Sequence, residues 1–232
     1  MKLLQLDQIS VEAVESLSGF FDNLPPTEHD DGRYRLRRYS VFELRTTFWN
    51  AKEEIEITRL PQRAFQQEKE LNSKEDMWHE GEAREFEDLE DGVVESKAFG
   101  EICLNFKQSN SLMEGQEIEV HQMRIQTLDD EQSVLTKNGP WVVTPVAPEG
   151  VHQDGFDYLS IVGVGRHNIE GGELAIFVEK DSDTPIVSKL LCAGDMITVA
   201  DRKLWHDASP IRAIKRREKG YLDAFVLCAK LA

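Results

Sequence analysis

From residue 117 to the C-terminus the chain breaks into short runs rich in β-branched and aromatic residues. They read EIEVHQMRIQTL, WVVTPV, FDYLSIVGVG, ELAIFVEK, PIVSKLL, DMITVA and YLDAFVLCA, with Gly, Pro, Asn and Asp between them at fairly even intervals. Many short strands with regular turn signals point to a closed β architecture: a sandwich, a barrel or a jelly roll.

The N-terminal half supplies different elements. Leu3, Leu6, Ile9, Val14, Leu17, Phe20 and Phe21 recur at roughly helical spacing, and Pro25-Pro26 ends the pattern, so a helix is predicted over about 7–22. Tyr34 to Leu44 and Ile55 to Leu60 alternate as strands do. Phe99, Ile102, Cys103 and Phe106 predict a further helix within 96–110. With 232 residues, 40% of them hydrophobic, and no linker or repeat, the expectation is a single domain over 1–232, with a β core at about 117–230 and flanking helices.

Charge narrows the function. Lys and Arg number 27 against 43 Asp and Glu, a formal charge of −16. Such a field repels phosphate backbones and anionic lipid, so neither a nucleic-acid nor a membrane partner is expected. No run approaches the roughly 18 apolar residues that cross a bilayer. The N-terminus, MKLLQLDQISVEAVE, lacks the apolar core of a secretory signal. Cys103, Cys192 and Cys228 are scattered and odd in number, which suits core residues in a reducing cytoplasm. Over 68–95 there are 12 acidic residues against 3 basic ones. A run of that kind reads as a solvated face.

Two of the six histidines stand two positions before an aspartate: His29 with Asp31, and His152 with Asp154. His29 follows two prolines in a polar loop and reads as surface. His152 and Asp154 open a strand-like run, where residues i and i+2 point the same way and bring an imidazole and a carboxylate to one point. A metal site needs a third ligand from another strand, and His206, in Lys203-Leu204-Trp205-His206, is the candidate. Two histidines and one carboxylate on one face of an octahedron leave adjacent positions open, an arrangement suited to non-haem Fe(II). Zinc accepts the same ligands. Spacing alone also admits two core histidines beside a surface aspartate.

The segments VHQDG, Asn168-Ile169-Glu170-Gly171-Gly172-Glu173-Leu174 and LWHDASPI, in that order, resemble the iron(II)/2-oxoglutarate-dependent dioxygenases. Within these, the likeness is to the bacterial L-isoleucine dioxygenase-like group, which hydroxylates free L-amino acids. It extends upstream: His121-Gln122-Met123-Arg124 resembles the group's HQxR strand, and Arg35-Leu36-Arg37-Arg38-Tyr39-Ser40 its RxRxYS segment. Gly81-Glu82-Ala83-Arg84-Glu85-Phe86 is similar to its GxxRxF segment. The resemblance covers the chain from about residue 33 onward. It implies a double-stranded β-helix, the jelly roll also found in cupins, with Fe(II) held by His152, Asp154 and His206. It further implies 2-oxoglutarate and O₂ as co-substrates, succinate and CO₂ as products, and hydroxylation of an aliphatic, cyclic imino (pipecolate-like) or ureido (citrulline-like) amino acid, often for peptide antibiotics.

One departure stands out. The family's last strand usually carries an aromatic-Arg-Asp motif whose arginine grips the distal carboxylate of 2-oxoglutarate, and here that place reads Tyr221-Leu222-Asp223. A buried carboxylate needs a partner, and a bidentate guanidinium is the natural one. Arg212 is expected to replace it, with Arg124 also facing inward to a carboxylate. Gln122, Arg84 and Arg35 are expected to meet the amino acid, and Trp205, Trp141 and Tyr158 are candidates for the pocket wall. Two other readings remain at this point: a different metal-dependent cupin-type enzyme (an isomerase, epimerase or lyase), or a non-catalytic binding protein docking through 68–95. No heptad or exposed apolar run declares an oligomeric state.

Overall fold

The apolar runs pair into two layers of antiparallel strands with a helical layer on one outer face. The computed structural model describes residues 2–29, 31–49, 52–65, 83–128, 143–215 and 217–231. Strands β1 (Leu4–Gln8), β2 (Arg35–Trp49), β3 (Lys52–Arg59), β4 (Gln116–Gln126), β5 (Tyr158–His167), β9 (Asp195–Val199) and β12 (Tyr221–Ala229) form the larger sheet, in the order β1-β9-β5-β12-β4-β2-β3. Facing it are β10 (Trp205–Ala208), β7 (Glu173–Phe177) and β8 (Val187–Leu190), with the pair β11 (Ile211–Ala213) and β6 (Ile169–Gly171) beside them. All pairings are antiparallel. The connectivity is that of a jelly roll, as expected.

Alternation along the strands sorts side chains between two cores. On the outer face of the larger sheet, Phe42, Leu44, Ile118, Val120, Phe225 and Leu227 meet the helices. On the inner face, Tyr39, Val41, Leu159 and Cys228 pack toward Leu174 and Ile176 of β7. Helix α3 (Lys97–Ser109) is the principal outer helix; α2 (Asp91–Val94) is a single turn before it. Ser96 caps α3 by accepting the Phe99 amide, and Ala98, Phe99, Ile102, Cys103 and Phe106 bury one stripe against the sheet.

The N-terminal segment corrects the sequence expectation. The predicted helix over 7–22 divides into β1, the short helix α1 (Val11–Glu15) and a 3₁₀ turn at Ser18–Phe21. Leu4 and Leu6 pair with Val199 and Ile197, extending the larger sheet, while Ile9, Val14, Leu17 and Phe21 still bury as the spacing required. The β core likewise begins well before residue 117, since β1, β2 and β3 belong to it. WVVTPV contributes, in its described part, only a bridge between Thr144 and Ile211. Cys103 and Cys228 are buried and Cys192 is exposed, against the expectation of three core thiols. Among the described residues no helix is long and apolar enough to cross a membrane.

Candidate active site

His152 and His206 are drawn together by the backbone before their side chains are considered. Each amide donates to the other's carbonyl at 3.0 Å, an isolated bridge between the end of the 143–152 segment and β10. Asp154 lies in the loop that follows, before β5 begins at Tyr158. Its convergence with His152 therefore comes from the loop and not from an unbroken strand. That loop is held by Asp201, which is fully buried and accepts the amides of Asp154 (3.2 Å), Gly155 (2.8 Å) and Phe156 (3.0 Å). Gly155 takes φ +88°, a conformation that other residues rarely adopt. An Asp201 oxygen also lies 3.5 Å from Nδ1 of His206, so one carboxylate steadies both halves of the set.

Nδ1 of His152 lies 2.7 Å from the Gly150 carbonyl, which can only accept. The hydrogen therefore sits on Nδ1, and the Nε2 lone pair faces the cavity. Nε2 of His152 is 3.5 Å from Oδ1 of Asp154, and Nε2 of His206 is 3.5 Å from Oδ2. One ligating atom from each residue falls within 4.8 Å of the others. Burial works against charge on Asp154, yet the two imidazoles hold its carboxyl well below the usual range. Burial likewise pushes His206 down, but Asp154 and Asp201 override it and raise the imidazole to about 10. The cluster is a well of negative potential that favours a cation. Two imidazole nitrogens and one carboxylate fit the donor set of non-haem Fe(II) with open positions.

These three residues border a cavity of about 170 Å³ between the two sheets. Its floor is the inner face of β5, β12, β4 and β2, where Met123, Ile125, Ala224 and Val226 are apolar. At the β2 side stands a charged cluster. Asp31 accepts from Arg35 (3.0 Å) and Arg37 (3.4 Å), while Arg84 and Glu149 complete the wall. Nε of Arg35 and Nδ1 of His121 are buried without a partner. Burial and the neighbouring Arg35 lower Arg37 to about 9; burial and Arg37 push His121 down to about 3, so it is neutral. Oδ2 of Asp31 and the ring of Phe86, 4.8 Å from its guanidinium, hold Arg37.

Arg35 and Arg84 thus line the cavity as expected from the sequence. Arg37 and His121, quoted above as parts of the RxRxYS and HQxR segments without a role, line it as well, and so do Asp31 and Glu149. Gln122 and Arg124 do not reach it. They continue the outward set Ile118 and Val120 on β4, a parity legible in the sequence. Gln122 donates to the Phe20 carbonyl at 3.1 Å. Arg124 makes a bidentate pair with Asp223 (2.7 Å twice), bonds Asp22 at 2.8 Å and stacks on Tyr221. Arg212 is also misplaced as an anchor: it alternates with fully buried Ile211, and its half-exposed side chain pairs with Glu170 across β6. Leu222 does line the cavity, so the family's usual arginine position faces inward here but carries no charge. Tyr158 packs toward the helices, outside the wall, and Trp141 lies outside the described residues, as do Gly81 and Glu82 and much of the acidic 68–95 stretch.

The sequence model of the 2OG-Fe dioxygenase family matches residues 18–228. No curated protein sequence matches the chain. Among solved structures, a bsmA homologue from Methylobium petroleophilum PM1 superposes with a TM-score of 0.70 at 22% identity, over 95% of this chain and 81% of its own. IDO from Bacillus thuringiensis gives 0.67 at 13% identity, over 95% and 86% of the two chains. The Fe(II)/α-ketoglutarate-dependent dioxygenase TqaL gives 0.57 at 13%, over 95% and 73%. At these identities the superpositions speak for the fold. The family match spans the chain and includes His152, Asp154 and His206, set as this chemistry requires: the chain belongs to the 2OG-Fe dioxygenases, non-haem Fe(II) enzymes that use 2-oxoglutarate and O₂.

Proposed function

We propose that the protein hydroxylates a free L-amino acid with an aliphatic, cyclic imino or ureido side chain. The observation that carries this reading is the charged cluster on the β2 side of the cavity. Three guanidinium groups (Arg35, Arg37, Arg84) stand there against two carboxylates (Asp31, Glu149), next to an apolar floor. A zwitterion matches such a cluster: its carboxylate takes the surplus positive charge, and its ammonium meets Asp31 or Glu149. The apolar floor then receives the carbon chain, whose target C–H is turned toward the metal ligands.

Fe(II) held by His152, Asp154 and His206 supplies the oxidation when 2-oxoglutarate and O₂ are bound. The chain's own part is to fix the amino acid at its two charged ends, so that one C–H bond is presented repeatedly in one orientation. His121, kept neutral, brings a polar nitrogen into this pocket without adding to its charge. The two wider readings, a cupin-type isomerase or lyase and a non-catalytic binder, give way to the family match.

Succinate release from 2-oxoglutarate, followed with a panel of free amino acids and their carboxamides, tests the proposal. Stimulation by a free amino acid and not by its amide is the expected result. Equal stimulation by the amide, or by a peptide ending in that residue, would overturn it. Replacing Arg37 by Leu is expected to raise KM for the amino acid about 10- to 100-fold, the range for losing a hydrogen bond to a charged group.

A further inference from the structure

We infer that Arg166 holds the distal carboxylate of 2-oxoglutarate, taking over the task for which this chain has Leu222 in the family's arginine place. The inference rests on the family assignment and not on the identity of the amino acid.

A break in the pairing of β5 with β12 places it there. Ala224 pairs with Gly163 and Asp223 with Gly165, so Val164 is an extra residue. Val164 packs outward with the helix-side core, and Gly165 faces outward too, beside the Asp223 carboxylate. Without the bulge, Gly165 would stand opposite Leu222 and Arg166 would point to the helices. With it, Arg166 stands opposite Leu222 and shares the inner face. An arginine one strand away thereby reaches the spot where the last strand's own arginine is missing.

The end of the side chain is placed for an anion. Nη2 of Arg166 donates to the Gly171 carbonyl at 2.5 Å, which fixes the guanidinium. Nη1 is buried and has no partner. It adjoins the cavity wall at Gly172: a Cβ there would lie 3.2 Å from Nη1 and 3.5 Å from Leu222 Cδ2. Among the described residues no carboxylate pairs with Arg166, and burial pushes its pKa down, a penalty that a bound anion relieves.

The guanidinium groups that line the cavity, at the β2 side, are far from this spot. Arg35, Ile125, Leu222 and Arg166 occupy one rung across β2, β4, β12 and β5. Three strand spacings of about 4.8 Å put Arg35 roughly 14 Å from Arg166, at opposite ends of the floor. Guanidinium groups thus stand at two ends of the floor: Arg35, Arg37 and Arg84 in the cavity wall, and Arg166 beside the wall residues Leu222 and Gly172.

The test uses Fe(II)-loaded protein without O₂ and without amino acid. Binding is read from the visible charge-transfer absorption of the metal-bound 2-oxo acid. Two ligands are titrated: 2-oxoglutarate, and 2-oxopentanoate, which has the same chelating head and a methyl group in place of the distal carboxylate. The wild type is expected to prefer 2-oxoglutarate about 10- to 100-fold. Arg166→Leu should abolish that preference while leaving 2-oxopentanoate affinity unchanged. Adding Leu222→Arg to Arg166→Leu should restore it, by returning a guanidinium to the same inner face. Retention of the preference in Arg166→Leu overturns the inference. So does an equal weakening of both acids, which is what a merely structural arginine would give, or a double variant that recovers nothing.

Discussion

Asp201 shows how much of a metal site is decided by a residue that touches no substrate. It accepts three amides of the loop carrying Asp154 and lies beside Nδ1 of His206, so its loss frees both at once. Asp201→Ala is expected to weaken Fe(II) binding about 10- to 100-fold in a chelator competition, the usual scale for partners behind metal ligands. Unchanged affinity would mean the loop holds its shape without it. His121 yields a second expectation, in pH. It sits between the rings of Tyr39 and Phe65, with Arg35, Arg37 and Asp154 as its charged neighbours, and its folded pKa is about 3 against 6.5 for the free side chain. Between these values the unfolded chain binds a proton that the folded chain refuses. The stability His121 contributes is therefore complete above pH 6.5 and is lost as pH falls toward 3, at up to about 1.4 kcal/mol per pH unit. Urea unfolding of metal-free protein across that window should show a shallower pH slope for His121→Phe than for the wild type; identical slopes would contradict the burial of a neutral imidazole.

Strand parity and one bulge decide which side chains of the sheet do chemistry. Gln122 and Arg124 were expected inside because they share a face within a motif that resembles HQxR. That face, however, is continuous with Ile118 and Val120, which need the helix-side core, so the inward set is His121, Met123 and Ile125. Arg124 then joins β4 to β12 through Asp223, both largely removed from water. Breaking such a pair is costly, so Arg124→Leu should lower stability by about 3–5 kcal/mol, and Arg124→Leu combined with Asp223→Leu should cost less than the single change. Neither variant should alter 2-oxoglutarate binding by the folded protein. A fall in that affinity with stability intact would return Arg124 to the cavity. The β5 bulge was beyond sequence reading for a related reason: Val164 looks like any other strand valine, and only the register against Asp223 and Ala224 shows that two residues share one place. Leu4 to Gln8 reads equally well as helix or strand in so short a span, and its pairing with β9 chose strand.

At the scale of the molecule, a closed β architecture was legible from local patterns, while the jelly roll and its metal ligands were legible through the ordered motifs that resemble the dioxygenases. Turn residues punctuate the short apolar runs, and the meeting of His152 and Asp154 with His206 is made by an isolated bridge and the loop after it. What surrounds the ligands was legible only in part. Arg35, Arg37 and Arg84 sit in segments with recognisable spacing, whereas Asp31, Glu149 and Arg166 become neighbours of the cavity wall only through sheet order and register. The charge balance has the same character. A chain of net charge −16 repels anions on average, yet Arg35, Arg37 and Arg84 gather in the wall of its cavity. A small organic acid such as 2-oxoglutarate can therefore enter an acidic protein once it leaves the surface behind. The most direct measurement is the mass of the product formed from a panel of free amino acids with Fe(II), 2-oxoglutarate and isotopically labelled O₂, counted against succinate. One amino acid gaining a single labelled oxygen atom, with one succinate per product and neither formed by His206→Ala or without iron, is the predicted result. Succinate formation that no free amino acid increases, or that proceeds with no oxygenated amino acid, would contradict it.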